Sequence, residues 1–242
     1  MVFQRLKRYL LILLCALVSC VGQKEDPEDD ITPGGTSAVA GAGIVLDFTA
    51  TWCVNCPRMT TAIEEAAAER AIIPICVHYQ DVFECSHGTE LIGRFGVEAY
   101  PSAVMNMSKG TLITATSKDL ILAKLDAAKS AKAPCSIEAS LDADGTVKVK
   151  VTAAEEGIYT LSAALLEDGL VSAQTGAGDN YVHNNVFRGF LQENPLGDSL
   201  GQLAKGASAE RSFSAGTITQ MHHVAVFVCH DGTVNTATDL KI

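Results

Sequence analysis

Positive charge is scarce in this 242-residue chain. Its 18 Lys and Arg stand against 28 Asp and Glu, for a net charge of −10. Arg5, Lys7 and Arg8 fall in the first eight residues, and no basic block follows them. An acidic chain without a basic patch excludes nucleic acid as a partner and excludes electrostatic docking on anionic lipid. Clustered metal ligands are also lacking. A zinc site needs about four ligands, and no second Cys-x-x-Cys or nearby Cys/His pair accompanies Cys53 and Cys56. His222 and His223 are adjacent, so in a strand they point to opposite faces and do not share an ion. They read as surface or turn residues. There is one tryptophan, Trp52, and no internal repeat. No apolar run is long enough to span a bilayer, since a spanning helix takes about 20 residues.

What is present begins with an export signal. The cationic MVFQRLKRYL precedes the short apolar LLILLCALVS, the two parts of a cleavable signal over residues 1–19. The run ends in Leu17-Val18-Ser19-Cys20, which resembles a bacterial lipobox, where cleavage exposes a cysteine that is then acylated. Cys20 is accordingly the expected lipid anchor, and the chain is expected to work outside the cytoplasm, where disulfides persist. Residues 20–43 crowd Glu25, Asp26, Glu28, Asp29 and Asp30 ahead of Pro, Gly, Ser and Ala. Such a stretch buries little apolar surface and reads as a flexible acidic tether.

Residues 44–132 alternate strand and helix patterns. IVLDFTA and AIIPICVHY read as buried strands, Cys53 to Arg70 as a helix with Met59, Ile63, Ala66 and Ala67 on one side, and residues 88–95 as a short helix. SAVMNM and TLITAT read as a hairpin across Ser108-Lys109-Gly110, and Ser117 caps a last helix carrying Ile121, Leu122 and Leu125. This is an α/β domain. After Lys132-Ala133-Pro134 the pattern changes to short alternating strands separated by Gly, Asp and Asn turns. They include Val147, Val149 and Val151, IYTLSAALL, LVSAQ, YVHNNVF, AERSFSA, HHVAVFVC and TVNTA. Residues 133–242 therefore predict an all-β, immunoglobulin-like sandwich.

VLDFTATWCVNCPRM resembles the active-site segment of thioredoxin-like proteins, and Ala99-Tyr100-Pro101-Ser102 resembles their cis-proline loop. Glu167-Asp168-Gly169-Leu170-Val171 and Tyr181-Val182-His183-Asn184-Asn185 extend the likeness to a family of thioredoxin-like outer-membrane lipoproteins of Bacteroidetes. The resemblance implies a cell-envelope thiol–disulfide oxidoreductase on the outer membrane. It would act on protein or peptide thiols and disulfides, with no cofactor beyond the Cys53–Cys56 pair. It implies Cys53 as nucleophile, Cys56 as resolving thiol, Asp47 as proton acceptor, Pro101 beside the sulfurs, and Trp52 and Tyr100 at the substrate face. The physics agrees: a cysteine at a helix N-terminus faces unpaired N–H groups that favour its thiolate. Two features leave an inert, permanently oxidised pair open, and with it a non-catalytic binding or assembly module. The segment before Ile44 is short and Gly-rich for a full first strand and helix, and Val54-Asn55 carries no charge to set the redox direction. Of the remaining cysteines, Cys135 opens the first sandwich strand and Cys229 closes a late one, so a structural bridge between them is expected. Cys76 and Cys85 are read either as a second pair or as buried thiols.

Overall fold

The computed structural model describes residues 35–37, 39–40, 42–128 and 133–241. The signal, Cys20 and the acidic run lie outside the described residues. Two short strands come first, β1 (Gly35–Ser37) and β2 (Val39–Ala40). The α/β part follows as β3 (Gly43–Thr49), α1 (Cys56–Ala67), β4 (Ile72–His78), α2 (Ser86–Phe95), β5 (Ser102–Met105) and α3 (Lys118–Ala127). The strand β3 is buried along its whole length. It pairs in parallel with β4, setting Asp47 opposite Cys76, and antiparallel with β5, setting Asp47 opposite Ala103.

Alternation along β3 sends its side chains to two cores. Val45 meets Met59, Ile63 and Ala66 of α1 and Ile121 and Leu125 of α3. Ile44, Leu46 and Phe48 meet Leu91, Ile92 and Phe95 of α2 on the other face. Gly96 ends α2 in the left-handed conformation, at φ 67°, which glycine adopts without steric cost. The Ser117 hydroxyl accepts from the Leu120 N–H and starts α3.

The second part comprises β6 (Cys135–Leu141), β7 (Thr146–Ala153), β8 (Gly157–Glu167), β9 (Leu170–Gln174), β10 (Gly178–His183), β11 (Val186–Phe190), β12 (Asp198–Leu203), β13 (Ser208–Ser214), β14 (His222–His230) and β15 (Thr233–Lys241). Ile137, Val147, Val149 and Val151 of one sheet pack against Leu161, Val224, Val226 and Val228 of the other. The fold is thus a thioredoxin-like α/β part followed by a β-sandwich.

One sheet runs through both parts. Its strand order is β2-β15-β14-β8-β11-β4-β3-β5, with β12 also paired to β8; the opposing sheet is β1-β6-β7-β13. The joint is β11, antiparallel to β8 and parallel to β4, with Val186 opposite Cys76. The Cys76 N–H donates to the Asn185 carbonyl at 2.8 Å. A strand from the C-terminal half therefore fills the outer edge of β4, while β1 and β2 pair with β6 and β15.

Several expectations are corrected. The tether expected to run to residue 43 instead contributes β1, paired to β6, and β2, paired to β15. TLITAT forms no strand, only a single bridge from Ile113 to Ala103. The Thr111 hydroxyl donates to the Met105 carbonyl and accepts from the Met105 N–H, folding the segment back into a turn. YVHNNVF is two strands, because Asn185 takes φ 55° and breaks the run. Cys135 and Cys229 are free thiols. Cys135 belongs to the sandwich core, while Cys229 faces the core under α2, so a sheet lies between them. Cys76 and Cys85 are free as well. His223 is buried rather than superficial, with Nδ1 2.6 Å from Asp239 and Nε2 3.4 Å from Asp168.

Candidate functional site

The loop 50–55 carries the chain from β3 into α1. Cys53 donates its N–H to the Ala50 carbonyl at 3.1 Å and accepts from the Cys56 N–H at 3.3 Å. Cys56 is the first helical residue and Pro57 follows in the first turn, where a missing N–H costs little. Cys53 and Cys56 are joined by a disulfide, their Cα atoms 5.4 Å apart. The helix begins three residues later than expected, so Cys53 stands just ahead of its N-terminus. Both cysteines are buried, Cys53 at 5% exposure and Cys56 at 1%. The expected nucleophile Cys53 is therefore covered.

Aromatic residues build one wall. The Tyr100–Pro101 peptide is cis, and Tyr100 packs on Ala50, Cys53 and Cys56. Its ring stacks on Tyr79 at 5.3 Å and meets Trp52 edge-on at 5.6 Å. The Trp52 indole N–H donates to the Tyr79 carbonyl at 3.1 Å. Trp52 and Val54 remain exposed at 47% and 58%, leaving an apolar rim around the covered sulfurs.

Asp47 lies beneath α1. Its Oδ2 accepts from the Thr60 hydroxyl at 3.0 Å, and that hydroxyl also reaches the Cys56 carbonyl at 3.4 Å. Its Oδ1 is buried with no hydrogen-bonding partner. Burial pushes the carboxyl from 3.8 up to about 7, with Thr60 opposing and Glu64 adding to the rise. A carboxyl that titrates near neutrality is suited to holding and releasing a thiol proton. The sequence-predicted Asp47, Cys53, Cys56, Trp52, Tyr100 and Pro101 thus gather at one site. Cys20 lies outside the described residues, and Cys135 and Cys229 belong to other parts of the fold.

Three contributors were not anticipated. Asp81 accepts from the Thr51 N–H at 2.8 Å and the Phe83 N–H at 2.9 Å, and its Oδ2 lies 2.7 Å from His78 Nδ1. Burial pushes the Asp81 carboxyl up, but His78 and the two N–H groups outweigh it and hold it below its ordinary value. Asp81 so fastens the loop that leads into Cys53. Gln174, at the end of β9, donates its side-chain amide to the Cys53 carbonyl at 2.9 Å and the Ala50 carbonyl at 3.3 Å. Next to it the Thr175 N–H donates to the Thr51 carbonyl at 2.8 Å. Gly176 follows at φ 86°, and a Cβ there would stand 2.9 Å from the Val54 carbonyl, so the ribbon tip approaches the dithiol loop as only glycine allows. Third, His183 and Tyr181 of β10 wall a recess against α1, shared with Asp47, Thr60, Cys76 and His78. His183, which belongs by sequence to the C-terminal half, stands at the same recess as Asp47. Two nearby signals point to such a ribbon: the Asp-Gly turn at 168–169 and the Asn-Asn break at 184–185.

Among the described residues, no group of three or more His, Cys, Asp or Glu is arranged to hold a metal ion. No described helix is long and apolar enough to cross a membrane.

Comparison with known proteins follows the two parts of the chain. The thioredoxin model matches residues 37–125, and the model of outer membrane protein Omp28 matches residues 89–239. Among solved structures, HBP35 of Porphyromonas gingivalis superposes with a TM-score of 0.68 at 19% identity, covering 86% of this chain and 77% of its own. Protein AGR_C_4864 from Agrobacterium tumefaciens gives 0.60 at 14% identity, covering 84% and 95%. At these identities the likeness is one of fold. No curated protein matches the chain.

Proposed function

Because this chain belongs to the outer membrane protein Omp28 family and opens with a thioredoxin domain, we propose that it is an outer-membrane thiol–disulfide oxidoreductase. It would be exported by the signal at residues 1–19 and held by lipid on Cys20. The observation that carries the reading is the buried Asp47 carboxyl, tied through Thr60 to the first turn of α1, which begins with Cys56 of the disulfide. A buried acid shifted toward neutrality beside a disulfide is an arrangement that functional sites favour.

In the reducing direction the Cys53 thiolate attacks a substrate disulfide, and one substrate sulfur leaves as thiolate. Cys56 then gives its proton to Asp47 and attacks the Cys53 sulfur. The Cys53–Cys56 bond forms, the mixed disulfide breaks, and the second substrate sulfur leaves. The pair is oxidised and the substrate reduced, and the oxidising direction runs these steps backward. Protein or peptide thiols and disulfides are the substrate class, reached across the rim of Trp52 and Tyr100. Purified protein is expected to exchange with a model disulfide, and Cys53→Ser to abolish it. Absence of exchange in the unsubstituted protein would end this reading.

A second reading has its own support. Both cysteines are buried against Tyr100, and Val171 and Val182 form a cross-strand pair at 62% and 49% exposure on the ribbon. These features suit a non-catalytic binding or assembly module. Partner capture that survives Cys53→Ser/Cys56→Ser in the whole chain favours it over the first.

A further inference from the structure

Thiol–disulfide exchange at a covered pair raises a question of proton traffic. When Cys56 gives up its proton, Asp47 holds it beneath α1 at 1% exposure. The proton must leave before the pair can work again. Among the described residues no Lys or Arg lines the recess beside Asp47, and across the sheet Asp47 faces Cys76, a thiol that burial and the nearby Asp47, Glu64 and Asp168 push well above its ordinary value.

The recess between α1 and the β9–β10 ribbon reaches this carboxyl. It has a volume of ≈ 40 Å³, room for about three waters at about 10–15 Å³ each. Two buried polar atoms of residues lining it have no protein partner, Asp47 Oδ1 and His183 Nε2. Buried polar atoms in native proteins are nearly always satisfied, and water is the usual partner where protein is not. A hydroxyl path runs alongside. Thr60 holds Asp47 Oδ2 at 3.0 Å, and Tyr181 lines the same recess. Tyr181 is half-buried on the ribbon, its ring 4.8 Å from His183. Glu64 of α1 stands exposed at the same recess.

We propose that this recess is a hydrated proton-exchange chamber, in which water and the hydroxyls of Thr60 and Tyr181 carry the Cys56 proton between Asp47 and solvent. The proposal rests on the oxidoreductase reading and assigns the C-terminal half a working part in it. After Cys56 resolves the mixed disulfide, the Asp47 O–H proton passes to the Thr60 oxygen or a chamber water. Thr60 passes its own proton through a chamber water to Tyr181, and Tyr181 to bulk water, which restores the carboxylate without change in electron count. The groups facing Asp47 are Glu64 and Thr60 from α1, Cys76 and His78 from β4, and Tyr181 and His183 from the ribbon. Burial and the neighbouring His78 pull the His183 imidazole down to about 4, so near neutral pH it orients water rather than bringing a fixed charge. Thr60 and Tyr181 are positioning and relay groups, since neither touches the reacting sulfurs.

The test uses the reduced full chain in detergent, mixed rapidly with 5,5′-dithiobis(2-nitrobenzoate) and followed through the fluorescence of Trp52. Quenched samples are analysed for the mixed disulfide on Cys53. Tyr181→Phe keeps the ring packing, Thr60→Val keeps the side-chain volume, and Thr60→Ser restores the hydroxyl. Unfolding curves confirm that each variant is folded. The expected result is a resolving step slowed roughly tenfold or more in Tyr181→Phe and Thr60→Val, with accumulated mixed disulfide and a larger solvent isotope effect. Thr60→Ser is expected to recover the rate. Unchanged resolution and unchanged isotope effect in both variants would overturn the chamber. If the unsubstituted chain does not exchange at all, the oxidoreductase reading fails, and the chamber is then judged by the Asp47 carboxyl in the oxidised protein. Carbon-13 NMR should find it titrating near neutrality, and Thr60→Val should move it upward; a titration that stays put in that variant rejects the proposal.

Discussion

Gln174 stands 121 residues from Cys53 in sequence, yet its side-chain amide donates to the Cys53 carbonyl at 2.9 Å while the residue is 4% exposed. This bond, with that to Ala50, closes the dithiol loop from the sandwich side. Replacing Gln174 by Ala removes a second donor from two buried carbonyls that keep their backbone partners, at a cost of about 0.5–1.5 kcal/mol. Urea unfolding is expected to show that loss. Alkylation of reduced Cys53 should also be faster in Gln174→Ala, because its cover is loosened. An unchanged alkylation rate would mean that Tyr100 alone covers the sulfur.

Under the proposed oxidoreductase reading the two cysteines take different parts in exchange. Cys56→Ser is expected to stop after the first attack and accumulate a mixed disulfide between Cys53 and substrate. Cys53→Ser should form none, because Cys56 is 1% exposed. Mass spectrometry of acid-quenched, unreduced mixtures distinguishes the two outcomes.

Asp47 makes stability depend on pH with a definite sign. Burial raises its carboxyl from 3.8 to about 7, so between those values the folded chain keeps a proton that the unfolded chain has released. Stability therefore falls as pH rises through this window and levels off above it, by about 4 kcal/mol in all. Asp47→Asn carries no titrating proton and should lose that slope. Denaturant titrations of both proteins across the window give the comparison.

Alkylation of denatured, unreduced protein is expected to label Cys76, Cys85, Cys135 and Cys229 and to spare Cys53 and Cys56. In the native protein Cys229 should react slowly, since burial pushes its thiol up to about 11 and little thiolate is present. A peptide joining Cys135 to Cys229 would contradict the arrangement of the two cores.

The parts of the site that were legible in sequence are those made by neighbouring residues. Asp47, Trp52, Cys53 and Cys56 lie within ten positions, and strand alternation with a helix start fixes their relative places. Pro101 was legible through its tyrosine-proline-serine setting. Gln174, Tyr181 and His183 were not, because nothing local distinguishes a strand residue pointing at solvent from one pointing at a distant loop. YVHNNVF read as one strand because Tyr181, Val182, Val186 and Phe187 all suit a strand, while Asn185, at φ 55°, carries the break. The Cys135–Cys229 expectation failed for a related reason: strand position is readable, but which of two stacked cores a side chain enters depends on the sheet that lies between.

The insertion of β11 beside β4 bears on how the molecule is made. A chain exported from its N-terminus presents β3, β4 and β5 well before Val186 arrives to pair with Cys76. Until then the edge of β4 shows open N–H and C=O groups, a template for pairing with other chains. The thioredoxin-like half is thus not a removable module, and a chain cut after residue 132 is expected to aggregate or stay partly folded. Circular dichroism and light scattering of that fragment, with and without residues 133–242 supplied separately, would show it. A strand near residue 190 completes the sheet that begins with β3, so the Cys53–Cys56 pair reaches its final setting only after most of the chain is available to fold.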